Sequence, residues 1–540
     1  MRLLRLCRLV SVALAAGLLA APLRAAPIDR SAVPARPTPH ALPAHWQHGA
    51  FMEIFVRAYQ DSDGDGIGDL RGLISRLDYL QDLGVKGLWL MPIQQSADRD
   101  HGYATTDFRA IERDYGTLAD FDELIRQAHQ RGIGVITDYV INHSAAEHPM
   151  FTASAASRSG PYRDWYVWQR QAPVGWSIWD KNPWYPAPNA KVGGHYFATF
   201  GAHMPDFNFR NPAVLAYHED SLRFWLNRGI DGFRLDAVPH LVERDAAEWN
   251  DQPESRAITA ELRQLVQSYP GRHVVCEATA NPRVYGLPQL CGSAFGFNLE
   301  SNIMKAVKSG GSDADALRFV ADYFVAAPAG MATMISNHDH FAGARLWDQV
   351  QGDERQYRLA AASYLLLPGT PFIYYGEEIG LAGTDAPKDP DHPIRSPMSW
   401  TPGPNAGFTR EGVTPFRPIS PNAATHNVQL QRADAASLLQ FYKALIGVRN
   451  TLPSIARGSY EQPFAAGSAL GFQRRLGSEQ SLVLINYGTA PVAVNVAALG
   501  AGAPLQAAYP AGAAPLAVAA DGSAALTLAP QSVQVFVRRP

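Results

Sequence analysis

Ile230-Asp-Gly-Phe-Arg-Leu-Asp-Ala-Val-Pro-His240 is the key to this 540-residue chain. Residues 230–235 are apolar enough for a short buried strand, with Gly232 leaving room for close packing, and a helical run over 213–228 leads into it. Asp236 follows at the C-terminal end of that strand. Residues two apart on a strand project to the same side, so Arg234 and Asp236 can face each other. A cation that close keeps a carboxylate ionised, as a nucleophile requires. The same pair could equally be a structural clasp closing a strand-to-helix turn. This stretch alone leaves both readings open.

The neighbouring segments repeat the same strand-and-helix unit. Strands are expected at 51–59, 85–91, 134–140, 230–235, 273–277, 294–298, 331–335 and 372–375. Helices are expected at 70–83, 118–131, 213–228, 257–268, 314–323, 356–367 and 438–451. Eight strands alternating with helices predict an α/β fold of the (β/α)8 TIM barrel type over 48–453. Residues 144–211, rich in Trp, Tyr, Pro and Gly and without a clear helix, break the rhythm and read as an inserted subdomain after strand 3. Beyond residue 453 the pattern changes to short alternating runs at 469–474, 481–486, 492–496 and 533–537. These predict a C-terminal antiparallel β-sandwich domain over 454–540.

Composition limits the classes of function. Hydrophobic residues make up 46%, charged residues 18%, and the net charge is −3, which is ordinary for a globular protein and offers no basic surface for nucleic acid. Arg2, Arg5 and Arg8 precede an apolar, small-residue run over 9–21, and Leu23-Arg-Ala25 suits cleavage, so residues 1–25 read as a signal peptide. That run is too short and Ala-rich for a membrane span, no later segment offers one, and export to the periplasm or the extracellular space of a bacterium is expected. Residues 26–47, rich in Pro and Ala, read as a flexible leader. Only Cys276 and Cys291 then remain. An oxidising compartment permits a bridge between them, but two thiols make no framework and the reading does not count on one.

Two sets of residues carry chemistry. Asp61-Ser-Asp-Gly-Asp-Gly-Ile-Gly-Asp69 gathers Asp61, Asp63, Asp65, the Ile67 carbonyl and Asp69 around one point, a set of hard oxygen donors that suits a structural Ca²⁺. The alternative is an Asx-turn loop capping the next helix. Polar clusters also stand at four strand exits: Asp138/Asn142/His143, Arg234/Asp236/His240, Glu277, and Asn337/His338/Asp339. A barrel brings strand ends to one mouth, so the carboxylates Asp236, Glu277 and Asp339 would meet there. Carboxylates at one site push each other's pKa apart, giving one ionised nucleophile and one protonated acid, as a retaining glycosidase needs.

On these residues the chain resembles the α-amylase family, the family 13 glycoside hydrolases. Asp138-Tyr-Val-Ile-Asn-His143, Gly232-Phe-Arg-Leu-Asp-Ala237, Glu277 in Val-Cys-Glu-Ala, and Ser336-Asn-His-Asp339 match the four signature regions in order. Met204-Pro-Asp-Phe-Asn208 resembles the additional one. The resemblance implies Asp236 as nucleophile, Glu277 as acid and base, and Asp339 as the residue holding sugar hydroxyls. It implies that Arg234 keeps Asp236 ionised, that His143, His240 and His338 contact sugar, and that Tyr103 stacks beneath it. The Asp61–Asp69 loop resembles the metal loop of oligosaccharide-acting members.

The resemblance also suggests which enzyme. Ala237 and the Met-Pro-Asp-Phe-Asn segment resemble exported α-amylases, so retaining hydrolysis of α-1,4 links in starch or maltooligosaccharides, by a monomer, is the leading expectation. Pro239 and the run Leu235-Asp-Ala-Val-Pro resemble trehalose synthases instead. Asp100 and Arg395 match positions where exo-acting α-glucosidases clamp a terminal glucose. An exo-acting glucosidase or glucosyl transferase on maltose is therefore the alternative. A catalytically dead binding partner is disfavoured, since all three carboxylates are present.

Overall fold

The computed structural model describes residues 28–98, 100–385 and 389–539; the expected signal peptide lies outside them. Seven parallel strands form the central wall: β1 (Phe51–Ile54), β2 (Gly87–Leu90), β3 (Gly134–Tyr139), β4 (Gly232–Leu235), β5 (His273–Cys276), β6 (Ala332–Thr333) and β7 (Thr370–Tyr374). Their order around the wall is β5-β4-β3-β2-β1-β7-β6. The expected strand at 294–298 shrinks to two bridges, Ala294 to Cys276 and Phe295 to Ala332, which close the gap between β5 and β6. The wall is thus a (β/α)8 barrel. The eighth stave ends early because Asn298 takes a left-handed conformation and opens the helix Leu299–Lys308.

Residues facing inward fill the barrel: Phe51, Trp89, Ile136, Val275, Phe295 and Phe372 pack together. Outward-facing residues meet amphipathic helices. Leu118–Gln130 is typical, opened by a capping box between Thr117 and Asp120 and burying Phe121, Leu124, Ile125 and Ala128 at helical spacing. Gly232 has φ 148°, and a Cβ there would lie 1.7 Å from the His273 carbonyl oxygen, so the close approach of β4 to β5 depends on this glycine.

Several segments differ from expectation. The first strand ends at Ile54, and Val56–Tyr59 is a buried helical turn; apolar content alone cannot separate the two. The helix expected at 70–83 is two, Leu70–Ser75 and Leu77–Leu83, divided at Arg76. Part of the segment read as a flexible leader is docked on the barrel instead. Trp46 is buried beneath the strands and donates to the Gly271 carbonyl at 3.1 Å, while His40 lies 3.2 Å from the buried Asp231 carboxylate. Gly134 makes room for the Trp46 ring, which a Cβ there would meet at 2.2 Å. Cys276 and Cys291, on which no bridge was counted, are joined by a disulfide.

The stretch 144–211 holds a helix the sequence did not reveal, Pro149–Ala156, started by Pro149 and the His148 cap, and a small sheet of Trp168–Gln169, His195–Phe197 and Trp184–Pro186. After Pro453–Arg457, antiparallel strands form a five-stranded sheet ordered Glu461–Ala466, Ala469–Leu476, Glu479–Asn486, Ser532–Arg538 and Gln506–Tyr509. A second pair, Val492–Val496 and Ala524–Leu528, packs against it across a core containing Leu482, Leu484, Val494 and Phe536. This is the β-sandwich. No helix among the described residues is long and apolar enough to cross a membrane.

Candidate active site

The register of three strands builds the site. Asp138 on β3 stands opposite Arg234 on β4, and Leu235 opposite Cys276 on β5, so the next residues, Asp236 and Glu277, leave the wall level with each other. Their backbone N–H groups are anchored to the strands behind, Asp236 to the Tyr139 carbonyl and Glu277 to the Leu235 carbonyl. Arg234 and Asp236, two apart, point the same way as expected. The buried guanidinium donates to Asp138 at 2.9 Å and to Asp236, and forms an ion pair with Glu277 Oε2 at 2.9 Å. Ala237 N–H also donates to Glu277 Oε2 at 3.1 Å, from a left-handed residue with φ 48°. A non-glycine residue held there directly after a candidate nucleophile is local strain imposed by the surrounding structure.

One positive charge therefore serves three carboxylates. Arg234 pulls the Asp236 carboxyl down, and shares that pull with Asp138 and Glu277. Burial pushes the Asp236 carboxyl well above its usual range, Arg234 opposes that push, and the negative charges of Glu277 and Asp138 add to it. Burial likewise raises Asp138 to about 6 against the pull of Arg234. Burial and neighbouring negative charge thus act against Arg234 at both Asp236 and Asp138.

Asp339 forms the opposite wall. Its side chain is 21% exposed, against 7% for Asp236 and 11% for Glu277, so it faces the open cleft most fully. Loss of hydration raises it to about 7, with Arg395 opposing and Glu277 adding to the shift. Arg395 donates to Asp339 at 3.3 Å and to the His338 carbonyl at 2.8 Å, and pairs with Asp391 at 3.0 Å. His338 is held from behind by Glu53, whose Oε1 lies 2.6 Å from Nδ1, and its Nε2 lies 3.2 Å from Asp339. Burial lowers His338 well below the usual histidine value, so it is a neutral hydrogen-bonding group. Glu53 was not singled out from the sequence. Its only signal was a lone carboxylate within the apolar strand Phe51–Ile54.

Asp100 and Arg395 share no hydrogen bond among the described residues. Asp100 instead pairs with Arg417 and lies 3.4 Å from His392, while still feeling the charge of Arg395.

The cleft between these walls has a volume of about 580 Å³, and Tyr103, His143, Asp236, His240, Glu277, Asp339 and Arg395 all line it. The Tyr103 ring stacks on His338 with centroids 5.5 Å apart, and its hydroxyl donates to Asp138 at 2.9 Å. Burial brings His143 down to about 3 and His240 to about 4, leaving both uncharged. His240 stacks on Trp249 at 5.2 Å, beside Phe200 and the exposed Trp179 from the inserted segment. Of the candidate substrate residues, Arg234 and His338 are buried behind the cleft and Asp100 lies outside its lining.

In the acidic loop, oxygens of Asp61, Asp63 and Asp65 lie within 4.8 Å of one another. Three carboxylate donors at that spacing fit a hard cation such as Ca²⁺. Asp61 is oriented by the Gly64 and Gly66 N–H groups at 2.6 and 2.9 Å. The oxygens of Asp69 accept from Ser62 and from Gly72 N–H, so Asp69 caps the following helix. The Ile67 N–H donates to Asp65.

Comparison with known proteins agrees with this geometry. The family described as alpha amylase, catalytic domain, matches residues 53–458. Alpha-amylase 3 of Dictyoglomus thermophilum is 35% identical over 82% of this chain and 85% of its own. Trehalose synthase/amylase TreS of Mycobacterium tuberculosis (strain CDC 1551 / Oshkosh) is 34% identical over 83% of this chain and 81% of its own. The crystal structure of the α-amylase from H. orenii superposes with a TM-score of 0.78 at 32% identity, covering 91% of this chain and all of that one. The chain belongs to the α-amylase family, the family 13 glycosidases and transglycosylases that act on α-glucans.

Proposed function

We propose that this protein is an exported α-amylase that hydrolyses α-1,4-glucosidic bonds of starch and maltooligosaccharides with retention. The observation that carries the reaction type is the single guanidinium of Arg234 shared by Asp236 and Glu277. Carboxylates held on one fork are too close to admit the intervening water an inverting pair requires, and suit the roughly 5–5.5 Å of a retaining pair. Asp236 attacks the anomeric carbon while Glu277 gives its proton to the leaving oxygen. The C–O bond breaks, and a β-glucosyl ester forms on Asp236. Glu277 then takes a proton from water, which attacks the same carbon and releases the sugar with its original configuration. Asp339 and His338 hold the hydroxyls of the sugar being cleaved, Tyr103 and His143 frame its ring, and His240 meets the leaving group. Asp61, Asp63 and Asp65, with the Ile67 carbonyl, would hold a structural Ca²⁺, while Asp69 braces the loop as the cap of the next helix. The basic, then apolar run over 2–21 supports export.

The hydrogen bond of Asp100 to Arg417, with none to Arg395 among the described residues, supports a cleft open beyond the cleaved sugar, and so endo action. A second reading rests on Arg395 itself. It lines the cleft with Asp391, a charged end wall that suits exo-acting glucosidases and transferases such as the TreS relative. Maltoheptaoside blocked at its non-reducing end, assayed beside unblocked maltose, separates the two. Cleavage of the blocked chain with little action on maltose is expected. An inert blocked chain, with glucose or trehalose released from maltose, would replace the endo reading by the exo one.

A further inference from the structure

Glu277 leaves the barrel where its wall is thinnest. On the β4 side, β5 pairs along four residues, and Glu277 N–H continues that ladder. On the other side, among the described residues, only the single bridges at Ala294 and Phe295 connect β5 to β6. Between Glu277 and Ala294 the chain makes an excursion, passing Thr279, which lines the cleft, and the short helix Pro282–Tyr285.

The disulfide lies at this seam. It joins Cys276, the residue before Glu277, to Cys291, three residues before the Ala294 bridge, across a separation of 15. Both cysteines are buried, at 0% and 2% exposure. Along β5 the side chains alternate: Val275 packs inside the barrel and Cys276 in the outer core, so Glu277 points back to the cleft. The carboxylate is gripped in front by Arg234 and Ala237, while the bond holds its backbone from behind.

Building on the reading of Glu277 as the proton donor, we propose that the Cys276–Cys291 disulfide is a positioning device for that carboxyl. With the bond intact, the donor is held over the leaving oxygen. Without it, the barrel persists, but the seam opens enough to misplace the donor. The enzyme would then reach full activity only in an oxidising compartment.

The test compares wild type with Cys276→Ala/Cys291→Ala on two substrates. Maltoheptaoside needs its leaving oxygen protonated, whereas α-glucosyl fluoride releases fluoride without a proton. A displacement of about 1 Å costs on the order of 10²-fold, so kcat/KM for maltoheptaoside should fall by roughly that factor. The fluoride should lose less than about 3-fold, since general-acid assistance is what the variant lacks. Circular dichroism at the assay temperature should match wild type. If the double variant does not fold, wild type treated with dithiothreitol gives the same comparison. Dithiothreitol supplies two electrons and two protons, leaving two protein thiols countable by titration, and itself closes to a cyclic disulfide. Equal losses on both substrates, or no loss on either, would overturn the proposal while leaving the role of Glu277 standing. A wild-type enzyme inert toward both would remove that role and the proposal with it.

Discussion

Asp138→Asn isolates the electrostatics of the site. Asp138 and Asp236 accept from the same terminal nitrogen of Arg234, and Asp138 is fully buried. Two carboxylates on one nitrogen place their charges about 5 Å apart, a repulsion of about 3 kcal/mol at an effective dielectric constant near 20. At 1.36 kcal/mol per pH unit, this amounts to about 2 units. Relaxation and the retained amide hydrogen bond reduce it, so a shift of about 1–2 units is expected. The sign follows from the charge removed. Losing a negative neighbour, and a competitor for Arg234, favours the ionised forms of the remaining carboxylates and lowers both apparent pKa values of the site. The bell of kcat/KM against pH, measured on maltoheptaoside, should therefore move bodily toward acid. That profile reports the free enzyme, and its limbs belong to the coupled group of carboxylates rather than to one residue. A bell that stays in place, or moves toward base, in a variant with native circular dichroism would refute the shared-guanidinium argument.

Three further perturbations follow from the same structure. Glu277→Gln should lower kcat on maltoheptaoside by about 10²–10⁴-fold, the range for general-acid assistance, and Asp236→Asn should abolish turnover, with unfolding curves unchanged; near-wild-type rates would reassign either carboxylate. Removing Ca²⁺ with a chelator should lower the melting temperature, and restoring it to a hundredfold excess over Kd should regain about 2.7 kcal/mol; Asp63→Asn should blunt that response, and a chelator-insensitive wild type would argue against the metal loop. Glu377 is buried beneath the Tyr364 and Tyr442 hydroxyls, and burial raises it to about 7. The folded form thus keeps a proton that the unfolded chain loses near pH 4.3, and stability falls between that pH and 7. Glu377→Gln should remove on the order of 3–4 kcal/mol of that fall, read from urea unfolding at pH 4.5 and 7.5; an unchanged fall would place the titrating group elsewhere.

Periodicity by itself determined the elements whose cause is local. The helix Leu438–Thr451 and the strand Val492–Val496 were legible to the residue, because amphipathic spacing needs no knowledge of the partner. The Arg234–Asp236 pairing was legible for the same reason, since a strand's two-residue repeat alone puts both side chains on one side. The three carboxylates were identified as a set from motifs at strand ends, and the barrel brings them to one cleft.

Tertiary structure decided whatever depends on partners far apart in the chain. Glu53 reaches His338 across 285 residues, and Asp100 chooses Arg417 over Arg395 across 317, choices made by loop geometry that no spacing encodes. The early end of the eighth stave, the docking of Trp46 beneath the barrel and the Cys276–Cys291 bond belong to the same class. Even the electrostatic setting of Asp236 was decided this way. The sequence placed a cation two residues away, but only the folded barrel brings Asp138 and Glu277 to the same guanidinium and buries all four groups together. Burial and shared charge are properties of the assembled site, and the local pair that announced it cannot show them.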